Sequence, residues 1–206
     1  MTGDVKKDYS NSEYRKALNQ VFILHIVMFC IAFTAALMAQ SSAVLADSLD
    51  FIGDAMSYAL SIFVINRSLA MRATVSIAKA VTMLSFGLPV MIYSMIRFNE
   101  GTAPDYAIMS YAGVLGIIAH IYCIYKLYRF RSGDSNRLSV WICTINDLLS
   151  NVITVIASQV VMFTDSVIPD IVAAGFIVSI AILGALVILR QAIQEIKNYK
   201  SERGYA

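Results

Sequence analysis

Asp47, Asp50 and Asp54 stand at i, i+3 and i+7 in the apolar stretch VLADSLDFIGDAMSYALSIFVI. On a helix these spacings put all three carboxylates on one face. A second apolar stretch, WICTINDLLSNVITV, carries Asp147 with Cys143 four residues before it, Asn151 four residues after it and Asn146 adjacent. Side chains at i and i+4 point the same way and can share a ligand, so the pairs Asp50/Asp54 and Cys143/Asp147 together offer four donors to a tetrahedral divalent ion. A carboxylate at mid-bilayer costs roughly 2.5–3.5 kcal/mol, so three in one span call for a functional reason. A bound cation neutralises such a cluster and protons do so when it leaves; their competition for the same oxygens is a physical basis for antiport.

The elements that must position these groups are membrane spans. The chain has 206 residues, 58% of them hydrophobic and 15% charged, with a mean hydropathy of +0.68. That composition lies far from the average soluble domain and reads as an all-α integral membrane protein. Apolar runs at roughly 20–40, 44–66, 72–96, 106–128, 138–162 and 168–190 are each near the ~20 residues that cross a bilayer, which predicts six transmembrane helices. Basic residues flank one side: Lys6, Lys7, Arg15 and Lys16; Arg67 and Arg72; Lys126, Arg129, Arg131 and Arg137; Arg190, Lys197, Lys200 and Arg203. On the other side Arg97 lies with Glu100 and Asp105 in one loop, and Asp165 and Asp170 occupy the second. The positive-inside rule therefore predicts cytoplasmic N- and C-termini.

The expected organisation is a cytoplasmic segment over 1–19, a membrane domain over 20–190 and a short cytoplasmic tail over 191–206. Residues 1–19 have no apolar core before a cleavage site, so no secretory signal is expected. Cys30, Cys123 and Cys143 are scattered through spans and form no disulfide framework. The net charge of +2 and pI of about 8.4 come from the flanks, which argues against a nucleic-acid footprint; the basic residues after the sixth span read as a solvated positive-inside flank, with contact to anionic lipid headgroups as the alternative. Spans two and five enter from opposite faces. At 1.5 Å per residue Asp50 and Asp54 reach depths on the order of 9–15 Å and Asp147 roughly 14 Å, so all three meet near the midplane.

These residues resemble the cation diffusion facilitator family of divalent-metal transporters, over nearly the whole chain. In that family the second span carries Asp, then His or Asp, then Asp, the places of Asp47, Asp50 and Asp54; the fifth carries His or Asp and then Asp, the places of Cys143 and Asp147. The sixth opens with a Pro and Asp close together, matched by Pro169 and Asp170. The resemblance is to a short subgroup that lacks the C-terminal cytoplasmic domain. It implies a homodimeric antiporter in a membrane, exporting Zn2+, or Cd2+, Co2+, Fe2+ or Mn2+, for protons by alternating access. It implies no enzymatic activity and no resident cofactor, and a bacterial inner membrane is the default residence.

Individual residues carry alternatives. Asp47, a turn nearer the outside, suits an exit path or helix packing as well as ligation. Cys143 is either a thiolate ligand, favouring zinc or cadmium, or a small packing residue, in which case Asn146 or Asn151 supplies oxygen and the site tilts towards manganese or iron. His25 and His120 are expected to hydrogen-bond neighbouring helices rather than act as ligands or a proton relay. Lys79 either snorkels to the surface or pairs with an acidic residue. Gly87 and Pro89 are expected to loosen or kink span three. Two other functions use buried carboxylates: a proton-coupled exporter of small organic cations, which needs an aromatic lining, and an intramembrane aspartyl enzyme, whose glycine-flanked Asp motif is absent from the spans.

Overall fold

A computed structural model describes residues 11–202, and among these the chain is all helical. Six α-helices follow one another: α1 Asn11–Ala39, α2 Ser42–Val64, α3 Leu69–Glu100, α4 Tyr106–Leu127, α5 Ser135–Thr164 and α6 Ile168–Glu202. A 3-10 turn, Tyr128–Phe130, extends α4. Five of the six, all but α2, are long and apolar enough to cross a membrane. In α2 the three aspartates lower the hydropathy of an otherwise apolar helix. Lys6, Lys7 and Arg203 lie outside the described residues.

The bundle encloses a polar stripe within an otherwise apolar interior and is apolar outside. Serine, threonine and asparagine side chains are buried along α2 and α5, while Leu37, Leu88, Tyr111, Phe163 and Leu183 face outwards. This inversion suits a hydrocarbon surround, where apolar surface is no penalty and polar groups must find partners inside. α2 packs against α1, α3, α5 and α6, and α5 against α2, α3, α4 and α6, with α1 and α4 together on one side and α3 and α6 on the other.

The helices overrun the spans expected from sequence at several ends. α1 starts at Asn11, so half of the segment expected to precede the first span is helix, and Tyr14, Ala17 and Leu18 on it are buried against Phe130 and Val140. α6 likewise runs on to Glu202. Hydropathy ends a span at the first charges, whereas a helix persists as long as one face finds packing. α3 is helical on both sides of Pro89 without a break.

Carboxylates of α6 and the chain just before α5 fasten the two acidic helices by their N-termini. Asp170, fully buried near the start of α6, accepts hydrogen bonds from Ser41 Oγ at 2.5 Å, Ser42 N at 2.6 Å and Ala43 N at 3.0 Å, satisfying donors at the start of α2. Glu195, near the other end of α6, accepts from Ser135 N and Ser135 Oγ at 2.6 Å each, at the start of α5. The N-cap Asp134 of α5 is also ion-paired with Arg72 of α3. Helix N-termini present unpaired N–H groups and a partial positive charge, so carboxylates there are stabilising. Twenty-five residues of helix separate Asp170 from Glu195, about 37 Å by helical rise, so α2 and α5 begin at opposite ends of the bundle. Asp170→Ala is expected to lower stability by about 2–4 kcal/mol, since it strands buried donors that now bond to a charged acceptor, and thermal unfolding of the purified protein in detergent checks this.

Candidate cation-binding centre

α2 and α5 cross with their acidic faces together. Asp54 and Asp147 are 4% and 5% exposed, and their carboxyl groups interact with each other. Asp54 also interacts with the thiol of Cys143, whose Sγ lies 3.5 Å from Met83 Sδ of α3. Asp50 is half-buried and close enough to Asp47, Asp54 and Asp147 to feel their charge. It lines a crevice between α2, α3 and α6, beside Phe86, Gly87 and Val178, with about 20 Å³ of room, enough for one water-sized occupant. The structure thus brings Asp50, Asp54, Cys143 and Asp147 into one neighbourhood.

The three flanking residues separate into different roles. Asp47 accepts a hydrogen bond from Thr154 Oγ1 at 2.7 Å, which ties α2 to α5 one turn from Asp50, while its other oxygen has no partner. Asn151 donates to the backbone carbonyl of Asp147 at 2.7 Å and its side chain fills the space left by Gly116 of α4. Asn146 turns away from the carboxylates towards Gly184 of α6. A Cβ at Gly116 would stand 1.6 Å from Asn151 Oδ1 and one at Gly184 2.2 Å from Asn146 Nδ2, so small residues set both helix spacings around α5.

Spacing along the chain did not reveal the two imidazoles. His25 of α1 and His120 of α4 are 0% and 1% exposed, with ring centroids 5.4 Å apart. Each uses Nδ1 within its own helix, donating to the carbonyl of Val21 at 2.8 Å and of Gly116 at 2.9 Å. The expected contacts to neighbouring helices are present but long, at 3.4 Å from Tyr58 Oη to His25 Nε2 and 3.4 Å from Asn151 Nδ2 to His120 Nδ1, while the short bonds go to the preceding turn and Nε2 faces the carboxylates: His25 Nε2 is 3.6 Å from Asp54 and His120 Nε2 is 3.7 Å from Asp147. Tyr58 donates to Asp54 at 2.6 Å, and Phe51 stacks on the His120 ring at 4.9 Å between centroids. Each histidine stands alone in an apolar helix, so only the packing of α1 and α4 beside α2 and α5 could connect them. The available signal was weak: a buried polar residue in an apolar span needs a partner.

Lys79 takes neither course expected of it. It is 1% exposed, and its ammonium donates to Ser61 Oγ and Asn136 Oδ1 at 2.6 Å each and to Ser139 Oγ at 3.2 Å. Three neutral oxygens saturate its three protons, on α2 and α5 about two to three turns from Asp54 and Asp147. It adds positive potential at Asp54 and Cys143 without touching either.

No protein-family model matches the chain, and no curated protein is significantly similar to it.

Gly116→Ala is expected to push α4 from α5, displacing His120 from Asp147 and costing about 1–3 kcal/mol, the range for overpacking. Gly175→Ala, where an added Cβ meets nothing within 4 Å, is expected to be neutral or to stabilise the helix slightly. Thermal unfolding of the two variants side by side measures the difference.

Proposed function

We propose that this protein is a divalent-cation/proton antiporter of six transmembrane helices with both termini in the cytoplasm. The observation that carries this reading is the pair Asp54 and Asp147, buried on helices that begin at opposite ends of the bundle, with their carboxyl groups together. Two carboxylates cannot both remain charged and unscreened in such surroundings, so the pair is occupied by a cation or by protons, and exchange of one for the other is the transport step. α2 is then the sixth span: its aspartates face neighbouring helices, and the other helices pack around them.

The exported ion is zinc or a related divalent cation such as Cd2+, Co2+, Fe2+ or Mn2+, held by carboxylate oxygens with Cys143 within reach. Rocking of α2 and α5 against their neighbours would expose the centre to one face and then the other. The reading includes a homodimer in the inner membrane of a bacterium, with lipid around the apolar face. It is not an enzyme and needs no resident cofactor.

A second reading gains one observation. Phe51 and Tyr58 supply aromatic surface beside Asp54, of the kind that an exporter of small organic cations would use. The small crevice at Asp50 favours an ion over an organic substrate.

Proteoliposome uptake of zinc, cadmium, cobalt, manganese and iron under an imposed pH gradient tests the proposal. Wild-type protein is expected to carry at least one of these metals, and Asp54→Asn and Asp147→Asn to abolish the flux while the proteins remain folded. Because protons and metal share ligands, metal affinity is expected to fall as the pH is lowered. Transport without metal dependence, inhibited by organic cations, would replace this reading with the second.

A further inference from the structure

The carboxylate pair occupies one side of a larger polar centre whose opposite side is made by α1 and α4. There the donors and acceptors do not balance. With Nδ1–H of both histidines given to backbone carbonyls, each Nε2 presents a lone pair inwards. The Tyr58 proton goes to Asp54, so the Tyr58 oxygen, 3.4 Å from His25 Nε2, offers that nitrogen nothing. His120 Nε2 and Asp147 Oδ2, both deeply buried, have no hydrogen-bond partner although they stand 3.7 Å apart. Unless a carboxyl group is protonated, the acceptors that face one another here have no donor between them.

We propose that His25, His120 and Asp147 ligate a divalent cation through the two Nε2 atoms and a carboxylate oxygen, so that the centre spans α1, α4 and α5 as well as α2. This rests on the reading that the centre takes a divalent ion, and it adds nitrogen ligands to a set that sequence spacing made of oxygen and sulfur alone. One ring nitrogen of each histidine and a carboxylate oxygen of Asp147 lie within 4.8 Å of one another, with His120 Nε2 3.7 Å from Asp147 Oδ2. Zinc–nitrogen bonds of ~2.0–2.1 Å require ligand separations of about 3.4 Å, so closure on an ion needs side-chain shifts on the order of 1 Å. Asp54, 3.6 Å from His25 Nε2, is placed to fill the fourth position.

The surroundings are those of a metal-binding histidine pair. Donation from Nδ1 to a backbone carbonyl fixes the tautomer and orients the ring, as outer partners do for metal-ligating histidines. Phe51 packs on both rings, stacked on His120 and edge-on to His25 at 5.3 Å, and Tyr58 meets the His25 ring at 4.8 Å. Two imidazoles and a carboxylate favour the borderline ions Zn2+, Co2+ and Ni2+ over Mg2+ and Ca2+.

The test is the X-ray absorption spectrum of zinc bound to the full-length protein in detergent, with zinc titrated calorimetrically into the wild type, His25→Asn and His120→Asn. Asparagine keeps a short side-chain donor for the carbonyl of the preceding turn and deletes Nε2. The expected wild-type spectrum contains outer-shell scattering from two imidazoles. Each variant is expected to lose one imidazole and at least about tenfold in zinc affinity, the smaller loss seen even for outer partners of metal ligands. Zinc bound by the wild type with no imidazole scattering would overturn the histidine assignment and leave the carboxylate reading standing. Failure of the wild type to bind zinc, cobalt or nickel would overturn the histidine assignment, and failure to bind cadmium, manganese and iron as well would overturn the divalent-ion reading itself. The wild-type spectrum decides the assignment even where a variant does not fold.

Discussion

Two carboxyl groups meeting inside an apolar bundle set the terms for the rest of this molecule. Unit charges of like sign about 4 Å apart repel by ~4 kcal/mol at an effective dielectric constant near 20, and burial adds a desolvation cost for each. Asp54 and Asp147 therefore need a positive charge, as protons or as a metal ion, and the helices that present them must be held together against their own repulsion. The surrounding polar contacts can be understood as meeting that requirement.

α6 is the outer brace of this arrangement. Asp170 and Glu195 grip the starts of α2 and α5 from its two ends, and both contacts are made in the conformation described here. Nearer the centre, Thr154 bonds Asp47 across the α2–α5 contact, and Lys79 reaches from α3 to Ser61 on α2 and to Asn136 and Ser139 on α5. α2 and α5 are thus joined on both sides of the carboxylate pair. In the proposed transport cycle, opening of the centre to one face would loosen the contacts on that side while the other set holds.

Much of this was legible in the chain. The apolar runs announced the helices, and the i, i+4 spacings of Asp50/Asp54 and Cys143/Asp147 brought out the two faces that meet. Helix ends were less legible, because residues 11–19 are polar by composition yet bury Tyr14 and Leu18 on one side. His25 and His120 read from sequence as packing residues because each is a lone histidine, and only the packing of four helices brings them beside the carboxylates. Lys79 was legible as an anomaly but not as a solution, since its partners Ser61, Asn136 and Ser139 have no unusual spacing. Asn146 and Asn151, equally plausible as ligands from sequence, part company because Gly184 and Gly116 leave room for their side chains on different helices.

The central claim is that Asp54 and Asp147 act as one cation centre, and a double-mutant cycle on zinc affinity tests it most directly. Asp54→Asn, Asp147→Asn and the double variant, each titrated with zinc in detergent alongside the wild type, give the coupling between the two side chains. A single centre predicts strong non-additivity, with the double variant losing little more affinity than either single one. Losses that simply add would place the two aspartates in separate sites and contradict the account.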